Sequence, residues 1–331
     1  MRRSAASCAE DPPSPQRSPA PRWVTALGLA AFAALTGALV AWRGLFLSRD
    51  WLFLWVLAAV AVLSLGDLRR WAHGVVFDWL PLMALLLAYD LSNGVREFLG
   101  IRPHTQPQLQ ADLLLPGSSV PTVELQQALY TPGAPAPYDY LAFGLYLTHF
   151  FVTLGVLVAL WRFSSRERFR RLRAIVLTLA TAGFLTYVLF PAVPPWMAAA
   201  DGHLAPVRRL VGELWPHVGL APAAALFERH QSFYNEVGAL PSLHAAYPVV
   251  LLAFFWGASR WVRAGLGLYA LGMATTLVYT GEHYVSDIVV GWAYAGASVA
   301  AVALVARRRQ SAERPQSRAG HARATQPVRA G

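Results

Sequence analysis

The chain has 331 residues, of which 56% are hydrophobic and only 14% are charged, with a formal net charge of +10. About a quarter of the residues in a soluble globular protein are charged, whereas this sequence contains long continuous uncharged stretches. The composition excludes a water-soluble fold and predicts an all-α, polytopic membrane helix bundle. All the positive charge comes from Arg, which lies mainly in tails and short loops, a pattern typical of membrane orientation rather than of nucleic-acid binding.

The N-terminal segment, residues 1–22, is rich in Pro, Ser and Arg and has the composition of a disordered cytoplasmic tail. Its Cys8 is the single cysteine of the sequence, which excludes an internal disulfide and a cysteine-based metal site. A second disordered, basic tail is predicted for residues 307–331. Residues 23–306 between the two tails form the predicted transmembrane domain.

Eight apolar stretches approach the length of about 20 residues that a helix needs to cross a bilayer. The second stretch is short and could be tilted or re-entrant, so six or seven spans are the alternatives. The predicted spans are Trp23–Trp42, Trp51–Leu65, His73–Leu91, Tyr138–Trp161, Ala174–Pro194, Leu240–Ala258, Val262–Gly281 and His283–Ala306.

The arginines between these spans predict the orientation of the bundle. Positive residues concentrate on the cytoplasmic side of a membrane protein, and the connection Arg162–Arg173 is rich in Arg. With eight alternating spans, both termini are cytoplasmic, and the loops Ser92–Pro137 and Pro195–Ala239 face outside. Loops of this length often cover a substrate site; the alternative is a disordered excursion, most clearly around Thr131–Pro137.

The sixth span opens with the sequence Gly238-Ala-Leu-Pro-Ser-Leu-His244. Pro is well suited to the first position of a helix, so we expect Pro241 to begin the span, with Ser242 and His244 in its first turn. His244 then lies close to the outer face of the membrane.

The eighth span opens with Glu282-His283-Tyr-Val-Ser-Asp287. Residues four apart share one face of a helix, so the Asp287 carboxylate can accept a hydrogen bond from one ring nitrogen of His283. This contact fixes the tautomer and leaves the other nitrogen basic, which suits a nucleophile. Because both spans enter from outside, His244 and His283 are predicted at the same depth, where one can attack and the other can move the leaving group's proton.

Each motif also has a purely structural interpretation. A single interfacial His is usually an amphipathic anchor, and a His–Asp pair can simply neutralise a costly intramembrane carboxylate. The combination favours catalysis, because a Pro-Ser pair precedes His244 and the topology places His244 and His283 at one face.

These residues resemble the signature motifs of the type 2 phosphatidic acid phosphatase (PAP2) superfamily. Pro241-Ser-Leu-His244 is similar to the second motif, and His283-x-x-x-Asp287 is similar to the third. The Leu within the second motif, the His-Tyr start of the third and the upstream Phe190-Pro-Ala-Val-Pro-Pro195 resemble the inositol phosphorylceramide synthase (inositolphosphotransferase) branch. The resemblance extends roughly from Asp78 to Ala297 and implies a catalytic core at residues 138–306.

The resemblance implies phosphoryl transfer that needs no metal or other cofactor. His283 attacks phosphorus to give a phosphohistidine, Asp287 orients His283, and His244 protonates the departing alcohol and then activates the acceptor. Ser242 donates a hydrogen bond to a phosphate oxygen. The implied substrate is a lipid or polyprenyl phosphate, and the acceptor is either water or a polyol such as inositol, so the implied enzyme is a membrane lipid phosphatase or phosphotransferase.

The sequence departs from the family pattern in the cation that must balance phosphate charge in the transition state. Leu277 stands where the family has an Arg upstream of the third motif, and the Lys and Arg-Pro of the first motif are missing. Because the chain has no Lys, Arg must supply the charge, and Arg208 and Arg209 in the second outer loop are the first candidates for phosphate binding. Arg96 is the next candidate and Arg229 another, although each could instead be a solvated loop charge.

Polar residues inside the predicted spans also have expected roles. His149 is expected to form a hydrogen bond between helices, with Asp78 or Tyr146 as its partner, and Asp90 could bind a polyol hydroxyl.

The missing first-motif cations favour an alternative in which the chain is a non-catalytic transporter or scaffold that retains the PAP2 fold. The intact histidines and Asp287 argue against that alternative.

Overall fold

The computed structural model describes residues 22–43, 49–65, 68–117, 119–218 and 235–324. Most of the predicted N-terminal tail and Arg229 therefore lie outside the described residues. A π-helical turn, Gly74–Trp79, joins α3 to α4, and a 3-10 turn, Pro216–Val218, follows α10. The α-helices are α1 (Arg22–Arg43), α2 (Arg49–Leu63), α3 (Leu68–His73), α4 (Leu80–Phe98), α5 (Gln106–Asp112), α6 (Pro121–Leu129), α7 (Pro137–Phe163), α8 (Arg166–Leu189), α9 (Pro195–Ala200), α10 (Leu210–Leu214), α11 (Leu243–Phe254), α12 (Arg260–Tyr279) and α13 (Val285–Ala324).

The apolar helices coincide with all eight predicted spans. Among the described residues, five helices are long and apolar enough to cross a bilayer, and three shorter apolar helices fall on the second, third and sixth predicted spans. The prediction of an all-α, polytopic membrane bundle is thereby confirmed. The long segments are Trp23–Trp42, Pro137–Phe163, Arg166–Leu189, Arg260–Tyr279 and Val285–Ser311, and the short ones are Leu54–Leu63, Gly74–Leu85 and Leu243–Phe254.

Helices α8 and α13 extend well beyond the apolar stretches that predict them. Helix α8 begins at Arg166 instead of Ala174, and the Ser165 hydroxyl accepts a hydrogen bond from the backbone N–H of Arg168 at 3.3 Å. Helix α13 continues to Ala324, into the segment expected to be a disordered tail. Arg, Gln and Glu favour helix without being apolar, so a count of apolar residues cannot detect these extensions.

Close contacts at two glycines bring α11 against α8 and α13. A Cβ atom on Gly183 of α8 would lie 2.9 Å from Leu243, and one on Gly291 of α13 would clash with the backbone carbonyl of Ser242. Glycine therefore lets the backbone before α11 approach α13 directly. Gly291 thus serves close packing of α13 against the segment before α11, as a small residue at a helix interface can.

Short helices between the spans hold the end of the bundle where α11 and α13 begin. Both carboxylate oxygens of Asp112, the last residue of α5, accept hydrogen bonds from the first turn of α13, from Val285 at 2.8 Å and Ser286 at 2.9 Å. Burial raises the pKa of the Asp112 carboxyl, and the two backbone N–H groups counter that effect by favouring its ionised form. The first long loop thus helps to position α13.

Gln126 of α6 ties the same end of the bundle together. Its side-chain amide donates hydrogen bonds to the carbonyls of Arg208 at 2.9 Å and Tyr279 at 2.8 Å, and accepts one from the Arg208 N–H at 2.9 Å. Gly281 follows α12 with a positive φ of 81° and lies against the Arg208 backbone. These contacts fix the segment that leads into His283.

Candidate active site

His283, which lies just before α13, contacts Asp287 in the first turn of that helix. The Nδ1 atom of His283 lies 3.4 Å from Oδ2 of Asp287, and that oxygen also accepts a hydrogen bond from the backbone N–H of Tyr284 at 2.9 Å. The helix begins only at Val285, so the expected arrangement on one helical face is wrong in detail. Asp287 reaches back as a cap for the N-terminus of α13, and this capping brings its carboxylate to His283.

The start of α11 is fixed to the same turn. Ser242 is the N-cap of α11: its hydroxyl accepts a hydrogen bond from the Ala245 N–H at 3.3 Å, and its own N–H donates to the Asp287 carbonyl at 3.0 Å. Pro241 precedes this cap and does not begin the helix, in contrast to the expectation from the sequence. The Tyr187 hydroxyl donates a 2.8 Å hydrogen bond to the Pro241 carbonyl, which holds the motif against α8.

These contacts bring the two motif histidines together. The ring centroids of His244 and His283 are 5.7 Å apart, with an interplanar angle of 54°. Asp287 and Ser242 are fully buried, and His283 is 5% exposed. A phosphorus atom bound between the two rings could be reached by both, which is the arrangement required of a nucleophile and a proton donor.

A third histidine, His149 of α7, lies behind His244. The two ring centroids are 3.8 Å apart, and Nδ1 of His149 is buried without a hydrogen-bond partner among the described residues. The expected hydrogen bond from His149 to Asp78 is wrong, because the described partners of Asp78 are Trp161, Arg166 and Arg173. No local pattern predicts the contact with His244, since it depends on how deep in the bundle α11 begins.

Arg209 is the candidate cation that the structure places beside His283. Its Nε and Nη2 atoms donate to the two carboxylate oxygens of Glu282 at 2.8 and 3.3 Å, and its guanidinium lies 4.9 Å from the ring centroid of Trp196. The Arg209 side chain is 12% exposed. A planar guanidinium carries five N–H groups, so it can bind a carboxylate and a phosphate oxygen together.

The other predicted cations point elsewhere. Arg208 donates to Glu213 at 2.9 Å and is 52% exposed, and this hydrogen bond raises the pKa of its guanidinium. Arg96, at the end of α4, donates to the Ile101 carbonyl at 3.2 Å and to Glu97 at 3.0 Å. Neither residue lines the cleft that contains His283.

A polar cleft connects Arg209 to the catalytic candidates. Its charged and polar lining consists of Arg209, Glu282, His283, Asn235 and Glu236. The remaining lining residues are Pro194, Trp196, Gly238 and Ala239.

Both long loops contact the Phe190–Pro195 segment beside this cleft. The Ala192 N–H donates to the Val237 carbonyl at 2.6 Å, and the His104 N–H donates to the Pro191 carbonyl at 2.8 Å. The ring of His104 also stacks on Phe190, with 4.3 Å between their centroids. The loop before α7 and the loop before α11 therefore meet at the Phe190–Pro195 segment, next to the cleft.

Comparison with known proteins identifies the family. The model of the PAP2 superfamily matches residues 125–301, which is more than half of the chain. The chain belongs to the PAP2 superfamily. The matched region begins in α6 and includes His149, Arg209, His244, His283 and Asp287, whereas α1 to α4 precede it.

A curated relative from Bacteroides thetaiotaomicron is named phosphoinositol dihydroceramide synthase. The two sequences are 32% identical over 150 residues, which cover 42% of this chain and 48% of the relative. The chain thus matches about half the length of that protein. No solved structure matches the chain. Within the PAP2 superfamily, this similarity agrees with the resemblance to the inositolphosphotransferase branch.

Proposed function

We infer that the chain is a membrane enzyme that transfers the phosphate-containing group of a lipid through a phosphohistidine on His283. The observation that carries this proposal is the 5.7 Å approach of the His244 and His283 rings, with the Asp287 carboxylate 3.4 Å from Nδ1 of His283. A carboxylate at Nδ1 holds the proton there and leaves Nε2 as the nucleophile.

The first half of the reaction forms the covalent intermediate. Nε2 of His283 attacks phosphorus, the bond from phosphorus to the lipid alcohol oxygen breaks, and His244 gives its proton to that oxygen. The His244 Nε2 atom is buried without a hydrogen-bond partner among the described residues, which is consistent with an atom that exchanges protons with a ligand. Phosphorus remains bonded to His283.

The second half returns both histidines to their starting state. An acceptor hydroxyl gives its proton to His244 and attacks phosphorus, and the bond from phosphorus to His283 breaks. Arg209 balances the charge on the phosphate oxygens during both halves, and Ser242 donates its hydroxyl hydrogen to one of them. Arg209 is preferred to Arg208 and Arg96 because it lines the cleft with His283.

The nature of the acceptor decides between phosphatase and transferase. Water would give hydrolysis of a lipid or polyprenyl phosphate, and an alcohol would give a new ester. The name of the Bacteroides relative supports transfer, with a phosphoinositol group as the transferred unit and a dihydroceramide as its acceptor. The arginine distribution supports a cleft on the outer side of the membrane, with both termini in the cytoplasm.

A labelling experiment tests the nucleophile and the reaction type together. Purified protein is incubated with phosphatidic acid, polyprenyl pyrophosphate and phosphatidylinositol that carry radioactive phosphorus, with and without inositol or dihydroceramide. We expect transient, acid-labile label on His283, and no label or turnover after His283→Gln. The exposed His203 provides the matched control, since His203→Gln should label and turn over as the unmodified protein does.

The outcomes separate the hypotheses. Label in a new ester identifies a transferase, and label in free phosphate identifies a hydrolase. Undiminished turnover in His283→Gln would overturn the assignment of the nucleophile. Absence of turnover with every lipid, together with no thermal protection by vanadate, would favour the non-catalytic transporter or scaffold.

A further inference from the structure

A second, apolar cavity of about 180 Å³ lies inside the bundle, between α4, α7, α8 and α11. It is distinct from the polar cleft, because most of its lining side chains are apolar. Its lining includes Leu82 and Leu85 of α4, Leu154 of α7, and Ala180 and Phe184 of α8. The reaction described above gives this space no role.

The apolar cavity and the polar cleft meet at the candidate catalytic residues. His149 and His244 line the apolar cavity at one end, and Gly238 lines both spaces. His283 lines the polar cleft and lies 5.7 Å from His244 between ring centroids. A ligand with a phosphate in the cleft could therefore extend an apolar part past His244 into the cavity.

The dimensions of the cavity match one leaflet of a bilayer. One wall of the cavity runs along α4 from Tyr89, at the end near His244, to Trp79, the last residue of the π-helical turn. At 1.5 Å per residue this distance is about 15 Å, which is half of the roughly 30 Å hydrocarbon thickness of a membrane. The far end is formed by Trp79, Leu157 and Val176, of which Trp79 is 1% and Leu157 0% exposed.

We propose that this cavity holds one hydrocarbon chain of the lipid substrate and that the far wall of Trp79, Leu157 and Val176 limits the length of that chain. The proposal deepens the proposed function and rests on it, since the lipid phosphate must reach His283. A lipid chain is the occupant that fits, because most of the lining side chains are apolar and His244, which also lines the cavity, belongs to the proposed phosphate-transfer site. The depth of the cavity therefore sets the longest hydrocarbon chain that a substrate can carry.

The cavity is expected to select substrates by excluding long hydrocarbon chains, and not by binding a chain tightly. A hydrocarbon chain in a bilayer is already in apolar surroundings, so its entry into the protein brings little hydrophobic gain. A chain longer than the cavity, however, must bend against buried side chains or pull its phosphate away from His283. We therefore expect the apparent specificity constant, kcat/KM, to fall for chains beyond a threshold length, while shorter chains react normally.

Two substitutions on α8 place obstacles at different depths. Ala180 and Val176 both line the cavity, and they lie seven and eleven residues before Tyr187, at the mouth. Ala180→Phe should block the cavity about 6 Å closer to the mouth than Val176→Phe does. The neighbouring Thr181 is exposed on the outer surface, so Thr181→Phe is the control for a new aromatic ring on α8.

The test compares kcat/KM over a series of phosphatidic acids or phosphatidylinositols with saturated chains from short to long. Val176→Phe should reduce turnover of the longest chains alone, and Ala180→Phe should move the threshold to shorter chains, each with a change of about tenfold or more in the ratio of long to short. Thr181→Phe should leave the profile unchanged. An equal loss for all chain lengths in Ala180→Phe, in protein with an unchanged melting temperature, would overturn the proposal.

A crosslinking measurement, which needs no turnover, tests the chain site independently of the proposed enzymatic function. A phosphatidic acid with a photoreactive diazirine at the chain terminus should crosslink to Leu157 or Val176, and Ala180→Phe should abolish that crosslink. Crosslinks confined to exposed residues such as Leu185 would contradict the cavity assignment even if turnover is normal. Crosslinking at Val176 without turnover would support the chain site while the enzymatic proposal fails.

Discussion

Two buried carboxylates occupy opposite ends of the bundle and have different partners. Asp78, near the end of α7 and the start of α8, accepts hydrogen bonds from Trp161 at 3.0 Å, Arg166 at 3.2 Å and Arg173 at 3.1 Å. Asp287, at the other end, faces the His283 imidazole, and its Oδ1 atom has no hydrogen-bond partner among the described residues.

The difference separates a structural carboxylate from a candidate catalytic one. Two guanidinium groups remain charged at any accessible pH, so the charge on Asp78 is balanced permanently. The partner of Asp287 is an imidazole that, in the proposed reaction, gains positive character when its other nitrogen bonds to phosphorus. Asp287 can therefore stabilise the intermediate more than the resting state, which is the condition for raising a rate.

The first prediction tests the Asp287 side of this comparison and has the largest expected effect. Asp287→Asn retains the shape of the side chain and an oxygen for the Tyr284 N–H, but its amide can no longer fix the Nδ1 proton of His283. Since a wrong tautomer disables a comparable triad by about 10⁴, we expect kcat to fall by roughly three to four orders of magnitude. Steady-state kinetics with the lipid that the labelling experiment identifies would measure the fall in kcat.

The melting temperature of Asp287→Asn serves as the control that the variant is still folded. The melting temperature should change little, because the backbone hydrogen bond that caps α13 can persist. A full rate in the variant would show that the His283 tautomer does not depend on this carboxylate, and the distinction between the two acidic sites would then be lost.

The second prediction uses the adjacent arginines Arg208 and Arg209. Arg209→Ala should raise the activation free energy by about 2 to 4 kcal/mol, or roughly 30- to 900-fold in rate, because it removes a preorganised donor from the cleft. Arg208→Ala should stay within about twofold, since Arg208 is half-exposed and paired with Glu213. The comparison of kcat for both variants provides the measurement.

Removal of Arg209 also leaves the buried Glu282 without its described ion pair, so a second variant is needed. Arg209→Ala combined with Glu282→Gln removes both charges and should retain the rate loss while recovering part of any lost stability. Recovery of the rate in this double variant would mean that Arg209 acts by neutralising Glu282 and does not bind phosphate.

The sequence predicts the bundle and the meeting of the motif histidines for simple physical reasons. Apolar length identifies the membrane helices, and two helices that enter from one side must place residues near their starts at similar depth. This reasoning brings His244 and His283 together without knowledge of packing. It fails for Arg208 and Arg209, because only the positions of Glu213 and Glu282 decide which side chain turns into the cleft.

Other features depend on interactions that no local pattern contains. The contact of Asp287 with His283 follows from capping of α13, and α5 contributes Asp112 to the same turn from far away in the sequence. The apolar cavity is lined mainly by helices whose individual sequences predict only that they are buried or face lipid. Long-range packing therefore determines the shape of the site, while sequence periodicity determines which residues can reach it.

The last prediction tests the Asp78 side of the comparison and concerns stability. Asp78→Asn leaves Arg166 and Arg173 without a charged partner at that position and should lower the free energy of unfolding by about 1 to 3 kcal/mol, detected as a lower melting temperature in detergent. Arg166→Ala should cost less, because Arg166 is 49% exposed. Turnover per folded molecule should stay within about twofold in both variants, since neither touches the cleft. A rate loss in Asp78→Asn as large as in Asp287→Asn, with unchanged melting, would mean that the two ends of the bundle are coupled in catalysis.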